Sequence, residues 1–433
     1  MVSRAVAEWH PLQEVVVHRP GIEMFFGLLE PFSFLYERSF SMDEAVYEHM
    51  TLEHTLETEG IRVHRFKRLA TDLIREKPEL AEKVRSHALH VVKFRGPHME
   101  VRKAEREFAA SLNELDPETL FNIMILRPSI NLTQGKGERT IYPRPVLDVP
   151  LANLVFMRDQ QAVTDKGIVI GRMSKPQRRM EPLITGMVLE AAGKAVAWRV
   201  ETPGVFEGGD FIPADRFAML GIGDRTNRSG VNQILRSGIG FHEVAIVHQP
   251  FHPLIPEDEP DPMVNMHLDT YLNLAGPDIA VGCKVLLRRA KVEVYRRSAD
   301  GVYTKDAITS LYDYLRVQGF TIVPITTLEQ MCYASNFLCL RDRRILAVEA
   351  EKVAPKVMNK LQQKATENPH RYSALFEQVK KEYASLRHSG TLFPRKKEFD
   401  ELGVETVTVQ LQEITGGYGG AHCMTCVLQR KFT

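Results

Sequence analysis

Short apolar, β-rich runs alternate with helical stretches along most of the chain, and this rhythm constrains the fold more than any other feature. Residues 13–21 read as a buried strand, Val15-Val16-Val17 at its centre, stopped by Pro20-Gly21. Residues 41–59 read as a helix. Ser41 can cap it, Glu44 stands three residues on, apolar residues recur at Ala45, Val46, Met50, Leu52 and Leu56, and Gly60 closes it. Residues 60–66 start the next strand. Further on, 162–164 and 167–171 look like a hairpin, 178–192 a helix and 195–200 a strand. A strand at 217–222, a helix at 229–237 and a strand at 242–247 follow. The beat recurs through 278–287, 307–318 and 321–325. A strand, strand, helix, strand unit thus returns every roughly 50 to 70 residues, without sequence identity between copies.

Two stretches depart from the beat. Residues 72–125 lack strand signals and carry helical periodicity (Leu80, Val84, Leu89, Val92; Met99, Ala104, Phe108, Leu112), with breaks at Gly96-Pro97 and Asp116-Pro117. They predict a small α-helical insert, from which the Pro- and Gly-punctuated residues 126–150 return the chain to the main body. Residues 351–397 are rich in Lys and Arg with interspersed acids, a charged helical excursion.

Composition narrows the class of partner. Of 433 residues, 44% are hydrophobic and 26% charged, and 56 basic residues face 55 acidic ones, for a net charge of +1. That balance argues against a nucleic-acid or anionic-membrane partner. There is no apolar run of about 20 residues and no apolar core near the N-terminus, so a cytoplasmic location is expected. Five cysteines at irregular spacing argue against a disulfide framework. Cys423-x-x-Cys426 invites a zinc reading, but no second ligand pair of comparable spacing accompanies it.

The stretch Gly416-Gly417-Tyr418-Gly419-Gly420-Ala421-His422-Cys423 follows an alternating apolar run at 404–411 that reads as a strand. The glycines form a turn there, able to approach a ligand closely or take positive φ, and they deliver Cys423 as a candidate nucleophile. The bland alternative is a buried small hydrophobe.

Four other stretches carry chemistry. Asn153-Leu154-Val155-Phe156-Met157-Arg158-Asp159 puts an acid after an apolar run. Phe206-Glu207-Gly208-Gly209-Asp210 places two acids around a Gly pair that cannot be a strand interior. Gly223-Asp224-Arg225 forms a charged turn, and Met266-His267-Leu268-Asp269 sets a His and an Asp on one face of a strand. Singly, Asp159 reads as a cap, the Glu-Gly-Gly-Asp as a turn, His267 as a core histidine and Arg225 as a surface charge.

Together with Cys423 these blocks, from Val17-His18-Arg19-Pro20-Gly21 to His422-Cys423-Met424-Thr425-Cys426, resemble the arginine deiminase family of the guanidino-group-modifying superfamily. The resemblance implies an α/β fold, a five-bladed pseudosymmetric propeller of ββαβ units with an α-helical insert. The catalytic domain would then be 1–71 and 126–433, the insert 72–125, and 351–397 an excursion within the catalytic domain. It further implies hydrolysis of L-arginine to L-citrulline and ammonia through a Cys thiouronium, with no cofactor and no metal. The partner would be a small guanidino substrate and the expected assembly a homo-oligomer.

By resemblance, Asp159 and Asp269 grip the guanidinium, a planar cation with five N–H donors. Cys423 attacks its carbon, and His267 moves the protons, with Glu207 beside it. Arg178 and Arg225 match the family's carboxylate binders, and Asn153 and Phe156 its pocket wall. Asp210 reads as structural. The chain also departs from the family. Tyr418 stands where the family has a third arginine, Ala421 replaces a glycine, and Glu37-Arg38 replaces an acidic pair in an early loop, where Arg38 could supply the missing charge. Losing one charge-assisted contact costs about 1.5 to 3 kcal/mol, so the departure touches α-carboxylate recognition and leaves the guanidine chemistry intact. Competing expectations are an arginine dihydrolase giving ornithine, an agmatine-type deiminase, an amidinotransferase, and a non-catalytic arginine-binding homologue.

Overall fold

A computed structural model describes residues 3–134, 140–237, 239–256 and 260–431. The fold is mixed α/β, and five of its sheets share one plan: an antiparallel pair, then a helix, then a third strand parallel to its neighbour. In the first, Leu12–Val17 pairs antiparallel with Cys426–Arg430 and parallel with Arg62–Arg65, so the two ends of the chain meet in one sheet. The helix Met42–Thr58 makes that crossover. Ser41 caps it by accepting from the Glu44 amide at 3.3 Å, and Gly60, at φ +78°, ends it. The second sheet holds Gln161–Thr164, Gly167–Ile170 and Val196–Arg199, and the third Phe211–Ala214, Phe217–Ile222 and Glu243–His248. The fourth holds Leu272–Gly276, Ile279–Cys283 and Thr321–Ile325, and the fifth Leu338–Arg341, Arg344–Val348 and Glu405–Val409. These sheets are small and none closes on itself, so a five-bladed propeller is not established by them.

Several strands are buried along their whole length, Gln161–Thr164, Gly167–Ile170, Leu272–Gly276 and Ile279–Cys283 among them. That is why they read as continuous apolar runs. Two expectations need correction. Residues 72–125 are mostly helical, in Phe66–Glu76, Pro78–Val91, His98–Ser111 and Pro117–Leu126, but they also contain a strand, Lys93–Arg95. It pairs with Pro128–Gln134, which pairs with Ile141–Leu147. Three residues are too few to show a period, and Pro143 and Pro145 fit only because that strand is at the sheet edge. Residues 135–139 of this return segment lie outside the described residues. The third sheet is also longer than the beat predicts, because Lys291–Arg297 and Tyr303–Ser310 extend it to five strands. Charged residues on the exposed face masked their alternation.

The charged excursion forms Ala350–Glu367 and Pro369–Ser389, which bury Val353, Ala354, Val357, Leu361, Leu375 and Val379 in the core. It is an amphipathic pair, with most of its Lys and Arg on the outer faces and Arg371 buried. Among the described residues no helix is long and apolar enough to cross a membrane.

One feature of the plan positions the site. Immediately before the first strand of each unit the chain makes a tight turn, at 157–160, Gly208–Asp210, Leu268–Thr270, 332–335 and 421–424. The turns lie at equivalent ends of five strands, and their side chains converge.

Candidate active site

Asp159, Glu207, His267, Asp269 and Cys423 all stand in or beside these turns and are buried together. His267 precedes Leu268–Thr270 in extended backbone, and Asp269 lies inside that 3-10 turn. The two are therefore not on one strand face, as the i, i+2 spacing predicts. The turn instead aims them at different partners.

His267 donates from Nε2 to Glu207 Oε2 at 2.9 Å, and its Nδ1 lies 3.7 Å from Asp159 Oδ1. Burial alone would lower its pKa, but Asp159 and the Glu207 hydrogen bond outweigh that and raise it to about 9. Glu207 resists the upward push of its own burial because Arg225, 3.6 Å away, and His267 hold it ionised, down to about 2. The backbone N–H of Ser174 caps its other oxygen at 2.9 Å. Asp210 accepts from the Leu268 amide at 3.0 Å and so ties the 207–210 turn to the Leu268–Thr270 turn, a structural role; burial lifts its pKa to about 6.

The two aspartates are anchored alike. Asp159 Oδ2 accepts from Arg178 Nη1 at 2.5 Å, and Asp269 Oδ2 accepts from His422 Nδ1 at 2.8 Å. In both, Oδ1 is buried with no hydrogen-bond partner, and so is His267 Nδ1. Burial pushes Asp269 up, yet its bond with His422 lowers its pKa overall. Behind His422 lies buried Glu8, 3.5 Å from Nε2 and bonded to Arg430 at 2.8 Å.

Cys423 sits between these groups, its Sγ 3.6 Å from Asp269 Oδ2. Burial, Asp269 and Asp159 push its thiol well above the ordinary cysteine range. The glycine turn brings it there by close approach. None of Gly416, Gly417, Gly419 and Gly420 has positive φ; the left-handed residue is Tyr418, at φ +68°. A Cβ on Gly419 would lie 2.5 Å from the Phe156 ring, and one on Gly417 2.7 Å from it. Cys426 is buried in the following strand, pairs with Val16 and points away from this chemistry.

A narrow cavity opens from Cys423 between Asp159, Phe156 and Asn153 toward Arg178, Arg225 and Tyr418. All four expected binding residues reach it, although Arg178 is already committed. Besides Asp159 it holds Glu181, with Nη2 to Oε2 at 2.8 Å, and the carbonyl of Phe156 at 3.2 Å. Arg225 donates to Asp224 at 3.1 Å. Asn153 donates its amide to the Phe34 carbonyl at 2.7 Å. Arg38 does not line the cavity. It bonds Glu37 at 2.7 Å and the Gln412 carbonyl at 2.9 Å, bracing the glycine turn from outside.

Asp159, Glu207 and His267 each bring a metal-ligating atom within 4.8 Å of the others. Arg178 on Asp159 and Arg225 beside Glu207 already give those carboxylates cationic partners, and His267 Nε2 is committed to Glu207. Four residues at the site have no role expected from sequence: Arg158, whose amide donates to the Cys423 carbonyl at 3.0 Å, and His422, Glu8 and Asn336. His422 lies inside the cysteine motif and Arg158 inside the 153–159 block; Glu8 and Asn336 carry no local signal.

A fold of small ββαβ sheets whose turns gather carboxylates, a histidine and a cysteine holds the kinds of group that one class of enzyme requires, the hydrolases of carbon–nitrogen bonds in amidines. Comparison with known proteins places the chain within it. The family model described as arginine deiminase matches residues 32–430, and the chain belongs to that family. The arginine deiminase of Halobacterium salinarum is 26% identical over 499 residues, covering 99% of this chain and 96% of that protein. That of Mycoplasma capricolum is 22% identical, covering 97% and 95%. Among solved structures, the ternary complex of AgrE with ornithine and NAD+ superposes with a TM-score of 0.52 at 12% identity. It covers 97% of this chain and 40% of that one, a likeness of fold.

Proposed function

We propose that the chain hydrolyses L-arginine to L-citrulline and ammonia through a covalent thiouronium on Cys423. One observation carries the reading. Asp159 Oδ1 and Asp269 Oδ1 are buried beside Cys423 without hydrogen-bond partners, a costly arrangement unless an N–H-rich cation completes it. A guanidinium between the two carboxylates satisfies both oxygens and places its carbon next to Sγ. Its positive charge also offsets the two aspartates that keep the thiol protonated, so the substrate itself promotes the thiolate.

Sγ then forms a bond to the guanidinium carbon. As the tetrahedral adduct collapses, the C–N bond breaks and protonated His267 gives its Nδ1 proton to the departing ammonia. Neutral His267 next takes a proton from water, which adds to the thiouronium carbon. The C–S bond breaks, the sulfur is released as thiolate, the adduct's hydroxyl gives its proton to solvent as the carbonyl forms, and citrulline leaves. Glu207 keeps the imidazole oriented throughout and favours its return to the charged form. Five ββαβ units set around this centre as the blades of a propeller would bring their turns to a common axis, and we read the fold in that way.

The test is incubation with L-arginine and mass analysis of the product, with Cys423→Ser alongside. Citrulline from the native chain and a loss of at least roughly 10⁴-fold in the variant support the reading. Turnover that survives in Cys423→Ser ends it, and ornithine or a transferred amidino group assigns a sister reaction. A second reading concerns the substrate tail. Arg178 is bound to Asp159 and Glu181, and Tyr418 occupies the mouth, so a guanidino compound lacking the α-carboxylate has one observation in its favour. Agmatine assayed beside L-arginine decides between them.

A further inference from the structure

Four of the five converging turns supply a residue that the family resemblance assigns, and the fifth, before Leu338–Arg341, supplies none. Asn336 fills that position. It is wholly buried, two residues before its strand, as Asp159 is two residues before Gln161–Thr164. Its carboxamide is bound on both sides. Oδ1 accepts from the backbone N–H of Gly420 at 2.9 Å and of Cys423 at 3.1 Å. Two donors on one atom fix the amide orientation, so Nδ2 must be the end that faces Cys423 Sγ at 3.1 Å and the Asp269 carbonyl at 3.2 Å. The Asn336 carbonyl accepts from the His422 amide at 3.0 Å. A Cβ on Gly420 would lie 3.0 Å from that carbonyl and 3.1 Å from Oδ1, so this glycine is what lets the turn close on Asn336.

The geometry points to Asn336 as a further catalytic residue: its Nδ2–H donates to the Cys423 sulfur, stabilises the thiolate, and fixes the sulfur beside Asp269. This rests on Cys423 being the nucleophile. A neutral donor suits a site already crowded with carboxylates. An N–H···S bond strengthens when the sulfur carries charge, and it adds no second cation to repel the guanidinium. The same side chain holds the nucleophile's own N–H, so sulfur and backbone move as one.

The experiment uses the full chain with Asn336→Asp and Asn336→Ala. The first keeps the acceptor for Gly420 and Cys423 at nearly unchanged size and removes the donor to sulfur; the second removes both. Alkylation of Cys423 by iodoacetamide, followed by peptide mass across pH, reads the thiol without requiring turnover. Both variants are expected to shift the alkylation profile upward by about one pH unit, roughly tenfold in rate at neutral pH, with Asn336→Asp shifted further. The kcat for L-arginine is expected to fall about ten- to a hundredfold while KM stays within about threefold. An Asn336→Asp protein that melts like the native chain with an unchanged alkylation profile overturns the assignment. So does a loss of activity that tracks melting temperature with that profile unmoved, which is packing alone. If Cys423→Ser itself retains turnover, the proposed function fails, whatever the Asn336 variants show.

Discussion

The two ends of the central cavity are built on opposite principles. At the inner end, around Cys423, each aspartate has one oxygen anchored, on Arg178 or His422, and the other buried and free. The hydrogen bonding there is unfinished. At the outer end the cations are spoken for: Arg178 by Asp159 and Glu181, Arg225 by Asp224 with Glu207 beside it. Tyr418 occupies the remaining wall, its hydroxyl pushed well above its ordinary pKa by burial and by the neighbouring Glu37. A planar cation is specified by position before it arrives, whereas among the described residues the tail finds no dedicated free cation lining the cavity. The chain is thus more tightly committed to a type of reaction than to one substrate.

The largest expected effect strikes the inner end. Asp269→Asn and Asp159→Asn keep size and lose charge, and each is expected to lower kcat/KM by roughly 10²- to 10³-fold, read by product assay. If either variant loses less than about threefold, the guanidinium is not gripped there and the contrast between the two ends dissolves. The next effect is on pH. His267 titrates near 9, so kcat/KM should fall about tenfold per unit above that pH as the proton for ammonia is lost. Stability follows with definite signs. The raised His267 contributes fully below its ordinary value of 6.5, and that contribution is lost as pH climbs through 9. The depressed Glu207 contributes above its ordinary value of 4.5 and is lost as pH falls through about 2. Melting curves across pH on the native chain and Glu207→Gln check both. The smallest effect sharpens the outer end. Tyr418→Arg keeps a non-glycine residue in the left-handed conformation and offers the missing cation. It should lower KM for L-arginine by roughly tenfold with kcat nearly unchanged, and should leave KM for agmatine alone.

The local elements were legible wherever the signal was local. The 41–59 helix carries its own cap and stop, and the buried strands announce themselves as apolar runs. The strand at 93–95 and the hairpin at Lys291–Arg297 and Tyr303–Ser310 were not, since three residues show no period and charged outer faces hide alternation. The site followed the same rule. Asp159, Glu207, His267, Asp269 and Cys423 stand out as reactive types in turn-forming contexts. Asn336, a neutral amide among apolar residues, does not. The glycines were read for conformational freedom, but their use here is proximity, which depends on the Phe156 ring and the Asn336 carbonyl arriving from elsewhere.

By itself, the sequence determined which reactive groups are present, their order, and the strand and helix beat that could carry them, because each depends on neighbours a few residues away. Tertiary structure alone decided what those groups bond to. Asn336 reaches Cys423 across 87 residues and His422 reaches Asp269 across 153. Arg178, an apparent ligand for substrate, spends its donors on Asp159 and Glu181. A hydrogen bond depends on distances of about 3 Å, and no spacing along the chain encodes those until the five turns are brought together.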